Sequence, residues 1–183
     1  MSNDPYQNPA LKEFVDFLPS IELCDFDFAK DKMVSIDCLR LDKVHPFVSG
    51  NKWYKLKYSI LHAYQAGKSQ LLSFGGAYSN HLHALAYAGQ HLKIKTVGIV
   101  RGERPAALNP TLTDCENWGM ELSWLPRDQY REFSSSVSNG DAVSSSAKAY
   151  FHERYPDAWI IPEGGSGSDG VLGIETLFNA LQH

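Results

Sequence analysis

Short apolar segments that alternate with amphipathic ones constrain the fold of this chain more than any other feature. Four of them predict strands, with the sequences QLLSF, KTVGIV, MELSWL and AWII at positions 70–74, 95–100, 120–125 and 158–161. The sequence around them predicts helices over 54–66, 79–91, 111–118, 147–155 and 172–181. Strands that alternate with helices at this spacing form βαβ units, so we predict an α/β protein with a parallel sheet.

Other segments complete this prediction. VSIDCLRL, at positions 34–41, alternates as a strand does, and LKEFVDFL, at 11–18, predicts a short helix that ends before Pro19. The serine-rich segment 134–146 predicts a loop. The chain stops at ETLFNALQH, within a predicted helix, and we therefore expect the fold to be incomplete on its C-terminal side.

Composition argues against several classes of function. The chain has 183 residues and a net charge of −4, and its Lys and Arg residues form no basic stripe, so we expect no nucleic-acid partner. No apolar run approaches the roughly 20 residues that span a bilayer. The N-terminus has no apolar signal segment, so we expect a cytoplasmic protein without membrane contact. Three cysteines without a CxxC pair favour free thiols over disulfides.

The motif Gly50-Asn51-Lys52 places an amine at the start of a predicted helix. Glycine permits a tight turn, and asparagine is a favourable N-cap residue. In the first turn the helix dipole disfavours an ammonium group, and together with partial burial this lowers the pKa of Lys52 and frees its amine for Schiff-base chemistry. Taken alone, the motif is more typical of an exposed lysine beside an ordinary cap.

The segment SFGGAYSNHLHA, from Ser73 to Ala84, ends a predicted strand and opens a predicted helix. Backbone N–H groups at a helix N-terminus bind anions, and Ser79, Asn80 and His81 add side-chain donors. In open parallel sheets ligands bind at the carboxyl ends of strands, where this turn lies. The segment therefore predicts a site for a carboxylate or a phosphate, and a merely capped helix is the alternative.

The segment PEGGSGSDG, at positions 162–170, formally matches GxGxxG between a strand and a helix. The dinucleotide interpretation also requires an acidic residue about 20 positions on, past the last residue of the chain. We therefore favour a glycine-rich loop near the site and keep a nucleotide-binding domain as a weaker alternative. His81 and His83 point to different faces of a helix, so we predict no metal site.

Together, GNKWYKLKY, SFGGAYSNHLHALA and IPEGGSGSDGVLG resemble the 1-aminocyclopropane-1-carboxylate deaminase and D-cysteine desulfhydrase family in their order and spacing. The resemblance covers the chain from about Pro46 onwards. It implies a pyridoxal 5'-phosphate enzyme of fold type II, the tryptophan-synthase-β-like group, with a three-layer αβα architecture and a parallel sheet. It further implies a homodimer for the full-length form. The implied domains are an N-terminal part of the large domain, a small domain that closes over the substrate, and the start of an incomplete C-terminal part of the large domain, at residues 1–50, 51–162 and 163–183.

The resemblance gives a role to each matching residue. Lys52 matches the lysine that forms the internal aldimine with the cofactor and then moves a substrate proton, so the resemblance reverses its interpretation as a surface charge. Asn51 flanks this lysine and positions it at the cofactor. Asn80 matches the residue that hydrogen-bonds the cofactor 3-hydroxyl. Ser79 is implied as a catalytic residue, and the implied substrate-binding residues are Tyr78, Ser79, Asn80 and His81.

The implied reaction is a deamination or β-elimination of a small amino acid. With 1-aminocyclopropane-1-carboxylate the products are 2-oxobutanoate and ammonia, and with D-cysteine they are pyruvate, sulfide and ammonia. The sequence departs from the family at Trp53-Tyr54, Tyr78 and His83, where Thr-Arg, Gln and Arg are more common, and this leaves the substrate open. The alternative is a truncated, catalytically inactive family member that keeps only the small-domain fold.

Overall fold

The computed structural model of the protein describes residues 34–138 and 145–181, together with 20–24 and the single residues Lys12, Asp27 and Lys32. The strands of this part of the chain are β1 (Ser20–Cys24), β2 (Ile36–Arg40), β3 (Gln70–Gly75), β4 (Lys95–Arg101), β5 (Met120–Leu125) and β6 (Ala158–Ile161). The helices are α1 (Lys52–Gln65), α2 (Asn80–Leu92), α3 (Pro110–Asn117), α4 (Arg127–Ser138), α5 (Ser145–Arg154) and α6 (Ser168–Leu181). No helix within these ranges is long and apolar enough to cross a membrane.

Strands β3 to β6 form one sheet in the order β5-β4-β3-β6. Each neighbouring pair is parallel, and Gln70 at the start of β3 lies opposite Lys95 on one side and Ala158 on the other. β1 and β2 form a separate antiparallel pair. The predicted α/β class with a parallel sheet is confirmed, and β3 and β4 are each one residue longer than predicted.

Each face of the sheet has its own hydrophobic core, because successive side chains of a strand point to opposite faces. Leu71 belongs to the core formed with α1, α2, α3 and α6, and Leu72 belongs to the core formed with α4 and α5. We call these the first and the second core. The second core includes Phe74, Val97, Ile99, Tyr130, Phe133 and Phe151. Helices therefore cover both faces, and the predicted three-layer αβα architecture is confirmed.

The prediction of a loop over 134–146 is wrong at both ends. Its first five residues lie in α4, and Ser145 begins α5, while 139–144 lie outside the described residues. Serine has a low helix propensity, but Tyr130, Phe133 and Val137 recur at helical spacing and are all buried in the second core. Burial of this apolar stripe outweighs the local preference of the serines.

The last helix begins at Ser168, four residues before its predicted start at Leu172. Its first turn is held by Asp169, which accepts a hydrogen bond from Ser59 at 3.1 Å and lies 3.0 Å from Nδ1 of His62. An acidic residue in the first turn also suits the helix dipole. The helix predicted over 11–18 lies outside the described residues, except for Lys12.

Helix α6 packs along α1 at a very short distance. A Cβ atom at Gly173 would lie 1.9 Å from the carbonyl oxygen of Tyr54, so only glycine fits there. The segment that follows β6 is thus tied to the helix that Lys52 begins. The predicted domain boundaries at 50 and 162 stay predictions.

Candidate functional site

Lys52 is the first residue of α1, and the residues before it set its position. Gly50 has a φ of +65°, in the left-handed region that favours glycine, and its N–H donates to the carbonyl of Leu41 at 2.8 Å. Asn51 has helical backbone angles, so its side chain does not cap α1 as expected from the sequence. Its Oδ1 instead accepts a hydrogen bond from Nζ of Lys52 at 2.8 Å. The amide of Asn51 therefore orients the amine.

The surroundings of Lys52 lower the pKa of its amine. Burial lowers the pKa of Lys52, and the positive charge of Lys55, one turn further along α1, lowers it again. Among the described residues, no carboxylate forms an ion pair with the Lys52 amine. The shift has the direction predicted from the sequence, although burial rather than the helix dipole is its main cause.

The turn from β3 to α2 is built around Gly75. A Cβ atom there would lie 2.5 Å from Oγ of Ser79 and 2.8 Å from Cγ of Leu82, so the turn requires glycine. Ser79 is the N-cap of α2, and its Oγ accepts a hydrogen bond from the N–H of Leu82 at 3.2 Å. The backbone N–H groups of Asn80 and His81 are the other donors of this first turn, where an anion is favoured.

The predicted substrate residues differ in exposure. Tyr78 is 78% exposed and Asn80 is exposed, whereas Ser79 is half-buried. His81 is only 2% exposed. Burial is the main cause of the low pKa of His81, and the charge of Lys52 contributes to it. The roles of all these residues in binding stay predictions.

Ser73, a buried residue of β3, fixes the tautomer of His81. The Ser73 hydroxyl donates to the carbonyl of Ile161 at 2.8 Å, and Nε2 of His81 lies 2.8 Å from the same Oγ. A hydroxyl has one hydrogen, so Nε2 of His81 donates to it and Nδ1 carries the lone pair. Nδ1 is buried and has no hydrogen-bond partner among the described residues. Burial lowers the pKa of His81 to about 3, with smaller contributions from the charges of Lys52 and Lys55.

The PEGG segment covers His81. Gly164 and Gly165 have φ values of +69° and +66°. A Cβ atom at Gly165 would lie 3.0 Å from Cβ of Lys55 and 3.4 Å from Cε1 of His81. At Gly170 a Cβ atom would lie 1.9 Å from the carbonyl oxygen of Gly165. Close packing therefore accounts for Gly165 and Gly170, two of the three glycines of the GxGxxG match.

Sequence reasoning missed His45, which orders the segment before Lys52. Its Nδ1 accepts hydrogen bonds from the backbone N–H groups of Phe47 and Val48, both at 3.1 Å. Its ring also stacks on Trp53, with centroids 5.4 Å apart and an interplanar angle of 28°. His45 thus joins the chain before Lys52 to the residue directly after it. The signal in the sequence is slight: a histidine before a proline, five residues ahead of Gly50.

His83, the other unusual residue of this region, contacts a different part of the chain from His81. Its Nε2 lies 3.2 Å from a carboxylate oxygen of Asp114, and its ring contacts Trp118 edge-on at 4.6 Å. Within the described part of the chain, no group of three or more His, Cys, Asp or Glu side chains is arranged to hold a metal ion.

The curated proteins that are similar to the chain in sequence include two with informative names, whereas no protein-family model matches it. The first is a Thermotoga maritima protein provisionally named 1-aminocyclopropane-1-carboxylate deaminase, with 31% identity over 134 residues, or 73% of this chain and 39% of that protein. The second is the mitochondrial bifunctional D-cysteine desulfhydrase/1-aminocyclopropane-1-carboxylate deaminase of Arabidopsis thaliana, with 26% identity over 132 residues, or 69% of this chain and 31% of that protein. The chain thus spans less than two fifths of the length of either relative.

Solved structures that share the fold include two with TM-scores above 0.5. An ACC deaminase homologue superposes with a TM-score of 0.71 and 18% identity, over 96% of this chain and 54% of that one. A fungal L-serine ammonia-lyase from Rhizomucor miehei gives a TM-score of 0.58 and 11% identity, over 90% of this chain and 45% of that one. Fold and sequence agree with the motifs, and the resemblance of this chain to the 1-aminocyclopropane-1-carboxylate deaminase and D-cysteine desulfhydrase family is confirmed.

Proposed function

We propose that this chain forms part of a pyridoxal 5'-phosphate-dependent deaminase or lyase that acts on a small amino acid, with Lys52 as the cofactor-binding lysine. The proposed reactions are 1-aminocyclopropane-1-carboxylate to 2-oxobutanoate and ammonia, or D-cysteine to pyruvate, sulfide and ammonia. One observation carries the proposal: the Lys52 amine at the start of α1 donates a hydrogen bond to Asn51 and has a pKa lowered by burial.

The residues present fit this cofactor. An aldehyde reacts with a neutral amine, and burial increases the neutral fraction of Lys52. The buried Nδ1 of His81 has no hydrogen-bond partner among the described residues, which leaves an acceptor for a ligand. Lys52, Asn51 and Asn80 are the residues that we expect to hold the cofactor. When bound, it supplies an electron sink next to the Cα atom of an amino acid.

The chain's own residues then have distinct tasks. The Lys52 amine serves as the base that takes up a proton, and the hydrogen bond to Asn51 fixes the direction of its Nζ. The N–H groups in the first turn of α2 suit a substrate carboxylate, with Ser79 and Tyr78 beside them. Ser79 already accepts from Leu82, which leaves its own hydrogen for a ligand.

The proposal is tested by adding pyridoxal 5'-phosphate to the purified chain and recording its visible absorbance. We expect a band that appears with the wild-type chain and is lost in Lys52→Ala. Reduction with borohydride followed by peptide mapping should place the cofactor mass on Lys52. Lys57→Ala is the matched control, because Lys57 lies on the same helix and should leave the band unchanged.

A band that survives in Lys52→Ala would contradict the assignment of Lys52. If neither chain shows a band, the alternative gains support: a catalytically inactive family member that keeps only the small-domain fold. Assays of ammonia release from 1-aminocyclopropane-1-carboxylate and of sulfide release from D-cysteine then separate the two proposed substrates. The homodimer expected for the full-length form stays a prediction.

A further inference from the structure

A cavity opens at the carboxyl edge of the sheet, on the side of α4. Its volume is about 450 Å³, and it lies where β4 ends and α4 begins. Its lining includes three arginines, a tyrosine and a glutamate: Arg101, Arg127, Arg131, Tyr130 and Glu163. Carboxyl ends of parallel strands are where α/β proteins bind ligands. No role in the proposed reaction accounts for this group of residues.

The charge of the cavity is its first distinctive property. Guanidinium groups stay protonated in proteins, so three positive charges face one carboxylate. Among the described residues, no ion pair involves Arg101, Arg127 or Arg131. The protein as a whole has a net charge of −4, so three unpaired arginines in one cavity are not a consequence of overall composition. Planar guanidinium groups match the geometry of carboxylates and phosphates.

Tyr130 supplies an independent observation. It is 2% exposed, and its ring packs edge-on against Phe74 with centroids 6.0 Å apart. Its hydroxyl is buried and, among the described residues, has no hydrogen-bond partner of acceptable geometry. Burial raises the pKa of Tyr130, and the nearby Glu163 carboxylate raises it further, so the hydroxyl keeps its proton. This carboxylate makes no well-aligned hydrogen bond with the hydroxyl, and a ligand oxygen in the cavity would give the hydroxyl a better acceptor.

The cavity adjoins the turn from β3 to α2. A Cβ atom at Gly76 would lie 3.5 Å from Nη2 of Arg101, so the guanidinium group rests against the backbone of this turn. The guanidinium of Arg101 also lies over the ring of Tyr130, 5.7 Å from its centroid. Arg101 is thus fixed between the turn and Tyr130, with its charge at the wall of the cavity.

We propose that this cavity binds a small oxyanion, a phosphate or a carboxylate, through Arg101, Arg127 and Arg131 together with the hydroxyl of Tyr130. Lys52 does not line this cavity, and the proposal does not depend on the proposed reaction. The negative charge of Glu163 repels a bound anion and therefore weakens its binding.

Isothermal titration calorimetry of the full chain with inorganic phosphate, and separately with succinate, tests the proposal. We expect saturable binding of at least one of them. Tyr130→Phe keeps the ring against Phe74 and removes only the hydroxyl, so the affinity should fall about tenfold. The double change Arg127→Gln and Arg131→Gln should lower it further. Arg104→Gln should change nothing, because Arg104 pairs with Glu116 and does not line the cavity.

The variant Glu163→Gln controls for the possibility that the other variants lose binding because they do not fold. Removing the opposing carboxylate should strengthen phosphate binding several-fold, a gain that misfolding cannot produce. Tighter phosphate than succinate identifies a phosphate site, and the reverse order identifies a carboxylate site. Absence of saturable binding of both probes overturns the proposal, as does equal affinity in the wild type, Tyr130→Phe and the double arginine variant.

Discussion

Ser73 lies in the central strand, and its hydroxyl is shared between the carbonyl of Ile161 and the ring of His81. This one residue links β3, β6 and α2, and it decides which nitrogen of His81 is protonated. In the sequence it is a lone serine within an apolar run, which the strand prediction passes over. The protonation state of His81 therefore becomes visible only when the neighbouring strand is in place.

His81 should make stability depend on pH. Its pKa is about 3 in the folded chain and 6.5 when unperturbed, so below pH 6.5 the unfolded chain binds a proton that the folded chain does not. The free energy of unfolding should therefore fall by about 1.4 kcal/mol for each pH unit between roughly 6.5 and 3, and His81 should have no effect above this window. Urea unfolding at pH 7, 6 and 5 measures this slope.

The matched variants for this measurement are His81→Gln and His91→Gln. The first should flatten the slope, and the second should keep it, since His91 is exposed. An unchanged slope in His81→Gln would show that other groups cause the pH dependence.

At the scale of elements, strand and helix existence could be predicted from the sequence because apolar periodicity reports burial directly. β5 and β6 have the predicted bounds, and α2 is displaced by one residue. α4 could not be predicted in the same way, because its many serines obscured its apolar stripe.

In the candidate site, the capping of α2 by Ser79 follows from local sequence. The bond from Asn51 to Lys52 does not, since it depends on the helical backbone angles of Asn51.

The contact between α6 and α1 depends on Gly173. In Gly173→Ala the new methyl group would lie 1.9 Å from the carbonyl oxygen of Tyr54, and the two helices would have to separate. We expect a loss of about 1–3 kcal/mol in the free energy of unfolding, despite the roughly 1 kcal/mol that alanine gains over glycine within a helix. Urea unfolding measures it, with Val171→Ala, an exposed position of the same helix, as the control. A more stable Gly173→Ala protein would rule out this packing.

At the scale of the molecule, the sheet separates two cores, and both cores pack against the same strands. The four tryptophans, Trp53, Trp118, Trp124 and Trp159, all contact the first core, so tryptophan fluorescence reports on that face alone. Phe151 belongs to the second core, where its ring meets Phe74 edge-on at 5.4 Å. A change at Phe151 therefore tests whether the faces unfold together.

Phe151→Ala should destabilise the protein by about 3–5 kcal/mol, because a buried aromatic ring leaves a cavity. We expect the fluorescence transition and the circular-dichroism transition to shift by the same denaturant concentration, as in a two-state domain. Phe178→Ala, at a position 56% exposed, should shift neither appreciably. A fluorescence transition that stays in place while the circular-dichroism transition moves would mean that each face unfolds on its own.

The covering of His81 by Gly165 has a kinetic consequence. The two surfaces are already in contact, since even a methyl group at Gly165 would lie 3.4 Å from the imidazole ring. A solute that reaches this ring must wait until the segment at 163–165 moves off α1. We therefore expect the ring to exchange its nitrogen-bound hydrogen at a rate set by that opening, and not by the speed at which solvent arrives.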